Sequence, residues 1–503
     1  MALTREEITA VYACGVDAVT SVIAQLEARI TTLEEHLGVQ AAQIQAQEQV
    51  IATVSAWVKE LEDQARTTSR TSSKPPSSDG FVRPPRSLRQ RSGQKPGGQP
   101  GHVGRALHMV DAPERVIVHS PAVCAGCQRS LADVPAQRYE RRQVLDLPPL
   151  RLEASEHRAE AKTCPVCAQT TSGVFPAPIT RPVQYGERLK ALAVYLVSYQ
   201  LLPYDRASEL LADLFGPGPT DGAVCAAVST CAEALEEVEE QIMDTLGRAD
   251  VLHNDETGVR VQGKLQWLHV ASTAQLTHYA VHPKRGSAAS TAIGILPTFA
   301  GISVHDGLSA YTQYPCAHAL CNAHHLRELT AIVEHDQQPW AARMKDLLVE
   351  IKTQVAERRA GGATCFTDTV RADFVHRYQE ILDEGFAANP PPPSPEGVPK
   401  RRGRPKQSKA KNLLDRLSTQ RQAVLAFMDD WRVPFDNNQA ERDLRMVKVQ
   451  QKVSGCFRSP AGAAAFCRIR GYVSTLRKQR QQILPALHSV FTGQPLIPNL
   501  AAQ

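Results

Sequence analysis

Apolar residues recur every seven positions along the first part of the chain. One seam of the repeat consists of Val16, Ile23, Ile30, Leu37, Ile44, Ile51 and Val58. The second consists of Val19, Leu26, Leu33, Val54 and Leu61, with Gln40 and Gln47 interrupting it. Such a stripe is buried against another helix, and β-branched residues on one seam with leucine on the other favour a parallel dimer. Residues 1–65 are therefore predicted to form a coiled-coil oligomerisation helix, the alternative being a long helix packed on its own protein.

The apolar period differs between the later segments. Residues 179–245 contain three patterns of helical period joined by tight turns, which suit a helical DNA-binding region of the helix-turn-helix kind and equally a small helical bundle. Alternating patterns then predict strands at 249–261, 264–273, 276–283 and, after a helical stretch, 301–307. Helical patterns follow from Ala323 to about Ala387, at 410–431 and after Asn438. Strands followed by helices indicate an α/β sheet domain.

Composition and length add the broad class. At 503 residues the chain is too long for one core and is predicted to be multidomain. The N-terminus has no basic start followed by an apolar run, and no stretch approaches the length of a membrane span. A cytoplasmic protein without a membrane partner is expected. Twelve cysteines in such a chain indicate thiols and metal ligands rather than disulfides.

The net charge of +5 is concentrated in two short tracts. Residues 66–105 hold nine Lys/Arg against one acid, and residues 400–411 hold seven Lys/Arg and no acid. Both lack apolar periodicity, as flexible segments that touch a polyanion do. Residues 66–107 are predicted to be a basic linker, with a solvated linker of no such role as the alternative. Arg402, Arg404 and Lys406 stand in an Arg-Gly-Arg-Pro-Lys run that suits the DNA minor groove, as an AT-hook does, or generic phosphate contacts.

Two Cys-x-x-Cys pairs predict a structural zinc site within 108–178. The pairs are Cys124 with Cys127 and Cys164 with Cys167. Four thiolates can surround one zinc tetrahedrally and leave no open position for catalysis. The intervening 141–160 alternates like short strands, as in a zinc ribbon, and His157 is a competing ligand.

Three carboxylates form the candidate catalytic set. Asp255 and Asp306 each lie at the end of a predicted strand, where side chains project into the ligand crevice of an open sheet. Glu441 lies on a helix that Asn437 or Asn438 could cap. Three hard oxygen ligands suit Mg²⁺ or Mn²⁺, and two such ions stabilise an in-line phosphoryl displacement. The open alternatives as ligands are Glu256, Asp429, Asp430 and Asp436.

The helix of Glu441 carries a basic stripe and an apolar stripe. Arg445, Lys448 and Lys452 share a face with Glu441 and are predicted to contact DNA phosphates. Ala440, Leu444 and Val447 are predicted to pack the helix on the sheet. The alternative is an exposed helix with an ordinary Glu–Arg pair. Elsewhere, Cys321, His324 and His325 could form a second metal site, although a packed turn is the more common role of such a cluster.

Seven motifs in order resemble the transposases of the insertion-sequence-66 family over most of the chain. They are KPPSSDG, KPGGQPGHVGR, the double Cys-x-x-Cys, HNDETGVRV, HDGLSAY, LCNAHHLREL and DNNQAERDLR. The resemblance implies that Asp255, Asp306 and Glu441 are the catalytic carboxylates of a ribonuclease-H-like domain over 246–480. It also implies a helical insertion around 323–411 and leaves 481–503 as a C-terminal tail.

The resemblance further implies the activity. Such a bacterial transposase binds the terminal inverted repeats of its element, hydrolyses a strand at each end, and joins the freed 3′-hydroxyls to target DNA. Homodimers or larger assemblies, element-encoded helper proteins and association with the nucleoid are expected. Two other functions remain open, a non-catalytic DNA-binding or architectural protein and a nuclease of the ribonuclease-H fold.

Overall fold

The computed structural model describes residues 4–66, 107–390 and 407–501. Most of the predicted basic linker, and the predicted DNA-binding residues Arg402, Arg404 and Lys406, lie outside these ranges. The chain divides into two compact units, Met1–Arg86 and Ser87–Gln503. Within the described ranges, no helix is both long enough and apolar enough to cross a membrane.

The first unit consists of the helices α1 (Arg5–Ala13) and α2 (Val16–Arg66). Thr4 and Glu7 form a reciprocal capping box, in which the Thr4 amide donates to Glu7 Oε2 at 2.7 Å. Helix α2, with 51 residues, confirms the predicted long helix. The side chains of its seams are exposed, for example Ile23 at 50% and Ile51 at 64%. Pairing of this stripe with a second copy stays a prediction.

The described part of the second unit, from Leu107, begins with an irregular segment around the cysteine pairs. It contains a two-stranded antiparallel hairpin of β1 (Ala161–Thr163) and β2 (Thr170–Ser172). The strands predicted from the alternation over 141–160 are absent from this described segment, and that prediction is wrong. Pro148 and Pro149 have no amide hydrogen to donate to a ladder. Val144 and Leu147 are 91% and 77% exposed, so no apolar face of a strand is buried here.

The predicted helical region is confirmed. Its helices are α3 (Glu187–Val194, continued by a π-helical turn over Tyr195–Tyr199), α4 (Tyr204–Phe215), α5 (Asp221–Ala234) and α6 (Glu236–Leu246). Thr220 caps α5 by accepting from the Ala223 amide. The apolar faces of α3, α5 and α6 contribute Ala191, Val228 and Val238 to one buried cluster.

A mixed five-stranded sheet follows. Its strands are β3 (Val251–Val261), β4 (Lys264–Ser272), β5 (Thr277–His282), β6 (Ile302–His305) and β7 (Ala317–Leu320), with α7 (Ser287–Ile293) between β5 and β6. The spatial order is β5-β4-β3-β6-β7, antiparallel from β5 to β3 and parallel from β3 to β7. The four predicted strands are confirmed. β7 was not predicted, because its sequence Ala-His-Ala-Leu contains no β-branched residue.

The remaining helices cover the two faces of this sheet. They are α8 (Asn322–Ala331, continued by a π-helical turn over Ile332–Asp336), α9 (Pro339–Ala360), α10 (Asp368–Ala388), α11 (Lys409–Thr419), α12 (Arg421–Asp429), α13 (Asn438–Ser454), α14 (Pro460–Lys478) and α15 (Ile483–Phe491). The bundle from α8 to α12 packs on Val304 and Ala319 of the parallel strands. The apolar stripe Ala440, Leu444 and Val447 of α13 packs with Val259 and Val261 of β3, as predicted. Helix α14 contributes Phe466 to the cluster of Val259 and α13, and Tyr472 to the cluster on the opposite face that includes Leu252 and α15.

Helix α15 lies within the segment predicted as a C-terminal tail, and it belongs to the core. Leu487 is fully buried in a cluster that includes residues of α3 and α5, whereas Leu484 on the same helix is 40% exposed. Leu487→Ala is expected to lower the free energy of unfolding by about 3 kcal/mol, through lost burial and a residual cavity. Urea denaturation followed by circular dichroism measures this, with Leu484→Ala as the matched control. Equal losses in the two variants would contradict the packing described.

Candidate active site

The parallel pairing of β3 with β6 brings two carboxylates together. The register pairs Val251 with Ile302 and His253 with Val304. The same offset sets Asp255 beside Asp306, which lies one residue past the end of β6 as predicted. Asp255 itself lies inside β3, so its predicted position at a strand end is wrong. Side chains in register on adjacent strands project to the same face of a sheet. Asp255 also shares its face of β3 with Val259, which packs against α13. Both carboxylates therefore face the side of the sheet that α13 covers.

Glu441 reaches this side from the first turn of α13. Burial raises the pKa of Asp255 well above its ordinary value, and the neighbouring carboxylates of Glu256, Asp306 and Glu441 raise that pKa further. Burial also raises the pKa of Glu441, against the opposing effect of the Arg327 guanidinium. Carboxylates whose charges interact in this way favour protonation unless a cation offsets their repulsion. The donor set, all carboxylate oxygen and partly buried, fits a hard divalent cation such as Mg²⁺.

Asn437 fixes the start of α13 relative to β3. Its Nδ2 donates to the Asn254 carbonyl at 2.8 Å, and its Oδ1 lies 2.8 Å from His253 Nδ1. Its backbone amide donates to Cys321 Sγ at 3.1 Å. The residue is 1% exposed. The prediction that an asparagine side chain caps this helix is wrong for Asn437, because both polar atoms of its side chain bond to β3 instead.

Cys321 and His324, at the junction of β7 and α8, lie beside Glu441. The ligand atoms of these three residues are all within 4.8 Å of one another, and His324 Nε2 is 4.0 Å from Glu441 Oε1. His325 is not part of this set, because its Nδ1 lies 2.9 Å from Asn322 Oδ1 and it is buried elsewhere. Sequence reasoning had grouped Cys321 with His324 but not with Glu441. Nothing in the spacing of the sequence signals that third member.

Glu256 faces away from this set. Its Oε2 accepts from the Tyr311 hydroxyl at 2.5 Å, and its Oε1 accepts from Arg285 Nε at 2.8 Å. Its position in β3, next to Asp255, puts it on the opposite face of the sheet. Both carboxylate oxygens of Glu256 thus accept hydrogen bonds from protein groups. The bond from Tyr311 connects β3 to the loop that follows Asp306.

The other acidic alternatives have partners of their own. Asp429 pairs with Arg371 at 2.6 Å, and Asp430 pairs with Arg432 at 2.7 Å. Asp436 remains near Glu441, where its charge raises the Glu441 pKa, and its Oδ1 accepts from the Asn438 amide at 3.2 Å.

The basic stripe of α13 is only partly free. Arg445 and Lys452 are exposed. Lys448 Nζ donates to the Gly258 carbonyl at 3.1 Å and to Gln451 Oε1 at 3.3 Å. Lys448 therefore ties α13 to β3 as well as facing solvent.

The two cysteine pairs form closely similar turns. The Gln128 amide donates to the Cys124 carbonyl and the Ala168 amide to the Cys164 carbonyl, both at 2.9 Å, and Gln128 and Ala168 both have positive φ. Backbone amides of Cys127 and Cys167 lower the pKa of the Cys124 and Cys164 thiols respectively. Among the described residues, the one set of three or more ligands within 4.8 Å is Cys321, His324 and Glu441. The two turns are thus formed without being brought together, and His157 is exposed.

A mixed sheet with two adjacent aspartates, and a glutamate presented by a helix on the same face, defines a candidate centre for chemistry dependent on divalent cations. Residues 182–465, more than half of the chain, match the family model described as Transposase IS66 family. The chain belongs to this family, and the predicted resemblance is confirmed. The matched range includes Asp255, Asp306 and Glu441. Residues 4–108 match a second model, described as Family of unknown function (DUF6444). No curated protein matches the chain.

Membership in the family supports a transposase role. The family implies DNA as the partner and the use of divalent metal ions.

Proposed function

We propose that the chain cleaves DNA at the terminal inverted repeats of its element and joins the freed ends to target DNA. Asp255, Asp306 and Glu441 would hold Mg²⁺ or Mn²⁺ for this reaction. The observation that carries the proposal is the convergence of three acidic side chains, from β3, the end of β6 and α13, on one face of the sheet. Neither a structural ion pair nor a hydrogen-bonded network accounts for carboxylates that repel one another in this way.

The sheet supports a ribonuclease-H-like assignment. Three antiparallel strands are followed by two parallel strands on the far side of β3, with helices on both faces. On this reading the catalytic domain covers about 246–480, and the bundle from α8 to α12 is the helical insertion predicted around 323–411. The other modules would cover 1–65, 66–107, 108–178 and 179–245, whereas α15 within 481–503 belongs to the core.

Each residue then has a physical role. When bound, the divalent ions would stabilise the attacking and leaving oxygens of an in-line displacement. Asp255 and Asp306 supply oxygen ligands from rigid strands, and Glu441 supplies them from a helix end that Asn437 holds in place. Arg445 and Lys452 on the exposed face of α13 would contact the DNA backbone.

The two chemical steps use the same centre. In the first, a water oxygen attacks the phosphorus at the element end, and the 3′-oxygen leaves and takes up a proton. In the second, that 3′-hydroxyl loses its proton and attacks a target phosphorus, whose own 3′-oxygen leaves. Neither step needs a nucleophilic side chain.

The other modules support assembly on DNA. The exposed seams of α2 would pair with a second copy to form at least a homodimer. The helices α3 to α6 would contribute to recognition of the repeats, and the two basic tracts would add contacts with phosphates. Element-encoded helper proteins would join the active assembly.

The deciding experiment uses the full-length protein and linear DNA that carries the flanks of its own gene. Mg²⁺- or Mn²⁺-dependent nicking at the repeats, followed by joined products, supports the transposase. Cleavage without joining favours the nuclease, and binding without cleavage, even with helper proteins added, favours the architectural protein. EDTA and DNA with scrambled ends are the controls.

A separate measurement tests the zinc site. Cys127→Ser is expected to remove about one equivalent of bound zinc, because a tetrahedral site of four thiolates loses a ligand. Metal content after dialysis measures this, with the exposed Cys225→Ser as the control. Equal zinc content in the two variants would exclude the shared site.

A further inference from the structure

Cys321 and His324 have the local form of a metal-binding knuckle. In both Cys-x-x-Cys turns, the backbone amide three residues after the first cysteine points at that cysteine's sulfur. The His324 amide likewise favours the Cys321 thiolate and donates to the Cys321 carbonyl at 3.1 Å, while Cys321 Sγ accepts from the Asn437 amide at 3.1 Å. Cys321 also stands at the start of the ten-residue helix α8. Burial raises the pKa of its thiol to about 12, so a cation must displace the thiol proton in order to bind there. The imidazole of His324 takes the place of the second thiol of a knuckle.

The His324 imidazole is suited to bind a cation. Its Nδ1 is buried without a hydrogen-bond partner. Its Nε2 is 4.0 Å from Glu441 Oε1, which is beyond hydrogen-bond distance. The His324 side chain is 16% exposed, so little water competes for its ring nitrogens.

We propose that Cys321, His324 and Glu441 bind Zn²⁺ or a similar borderline-soft divalent cation, and that this cation withdraws Glu441 from the proposed catalytic centre. The second part rests on the proposed function. Three protein ligands leave the fourth tetrahedral position to water. Ligand atoms around zinc stand roughly 3.3–3.7 Å apart at the usual bond lengths. Side-chain movements of about an ångström bring these three atoms from within 4.8 Å to that spacing.

The chemistry of the donors separates two kinds of cation. Asp255 and Asp306 offer only carboxylate oxygen, which suits Mg²⁺ and Mn²⁺. Cys321 and His324 offer sulfur and nitrogen, which select zinc. Glu441 lies between them, close enough to Asp255 to raise the Asp255 pKa and 4.0 Å from His324. A zinc ion that draws the Glu441 carboxylate towards Cys321 therefore weakens its hold on the hard cation.

Cobalt substitution tests the site without relying on catalysis. The background protein is the full-length quadruple variant Cys124→Ser/Cys127→Ser/Cys164→Ser/Cys167→Ser, which lacks the thiols of the two other turns. Added Co²⁺ is expected to give thiolate-to-cobalt charge-transfer absorption and the visible bands of a tetrahedral ion. Cys321→Ser in this background is expected to abolish both, because serine keeps the hydrogen bond to Asn437 but is a poor ligand. Cys316→Ser, at a buried cysteine outside the set, is the control.

Two outcomes of the cobalt experiment overturn the site: no cobalt absorption in the background protein, or absorption that Cys321→Ser leaves intact. If the background protein does not fold, zinc content with all four other cysteines present decides instead. Cys321→Ser is then expected to hold about one equivalent less than the wild type and Cys316→Ser. Equal content in all three overturns the site.

Zinc inhibition tests the withdrawal of Glu441. In the wild type, added Zn²⁺ is expected to slow Mg²⁺-dependent cleavage by about tenfold or more. Cys321→Ser, compared with its own rate in Mg²⁺ alone, is expected to lose most of that inhibition. Equal inhibition in both proteins overturns the withdrawal. Absence of cleavage in every protein refutes the proposed function instead, and the cobalt result then decides the site alone.

Discussion

Glu441→Gln is expected to reduce metal-dependent strand cleavage by roughly 10³-fold or more and to leave DNA binding largely intact. An amide keeps the size and hydrogen-bonding capacity of the side chain but lacks the negative charge that holds a divalent cation. Asp255→Asn and Asp306→Asn are expected to behave in the same way. Cleavage is measured on the element-end DNA at saturating Mg²⁺, and binding by mobility shift in Ca²⁺ or EDTA.

Stability without metal separates loss of function from loss of fold. The Asp255 carboxylate is destabilised by burial and by its acidic neighbours. Removing one charge relieves that repulsion, so each amide variant is expected to melt no lower than the wild type in EDTA. Glu380→Gln and Asp373→Asn, exposed on α10, are matched controls and should cleave normally. Full cleavage by an amide variant would remove that residue from the centre.

Asn437→Ala is expected to lower both stability and activity. The change strips the Asn254 carbonyl and His253 Nδ1 of their partner and leaves a small cavity, which costs about 3 kcal/mol of unfolding free energy. Cleavage should fall by about tenfold or more even where the protein is folded. Glu441 lies four residues after Asn437, in the first turn of α13, and loses its fixed position when the contacts of Asn437 are removed.

The matched control is the adjacent asparagine. Asn438→Ala changes the same residue type on a partly exposed side chain of the same helix, and should alter neither quantity by much. Urea unfolding and single-turnover cleavage measure the two effects. An Asn437→Ala protein that matched Asn438→Ala in both would show that the contacts with β3 do not position α13.

Local patterns predicted the elements of the centre but not its assembly. The prediction that a strand ends at Asp255 is wrong, because β3 continues to Val261 in its pairing with β4, whereas Asp306 does follow the end of β6. The apolar stripe of α13 predicted the face on which Glu441 would lie. The register of β3 with β6, which sets the two aspartates side by side, depends on pairing across some fifty residues and leaves no local trace. Glu256 and Asp255 are neighbours in β3, and the alternation of the strand puts their side chains on opposite faces of the sheet. The Glu256 carboxylate therefore accepts from Tyr311 and Arg285.

The misjudged features share a physical cause. Asn437 stands where a helix cap is common, but partners in β3 outcompete the local amides. The segment 141–160 has the alternating pattern of a strand, but its apolar side chains are exposed because no surface of the described residues covers them. Residues 481–503 follow the last family motif, yet α15 fills a gap beside α3 that only the folded unit creates. Tertiary contacts decide each of these cases, and a single sequence does not display them.

The order of the carboxylates along the chain matters during synthesis. A ribosome releases the N-terminal segments first, and domains fold as they emerge. Asp255 and Asp306 are followed by the whole bundle from α8 to α12 before Glu441 and Asn437 are made. A chain that stops within that bundle contains the segments proposed to bind DNA and to pair with a second copy, but it lacks Glu441. Under the proposed function, such a fragment occupies the element ends without cutting them, so incomplete synthesis yields a competitor of transposition rather than a source of stray breaks.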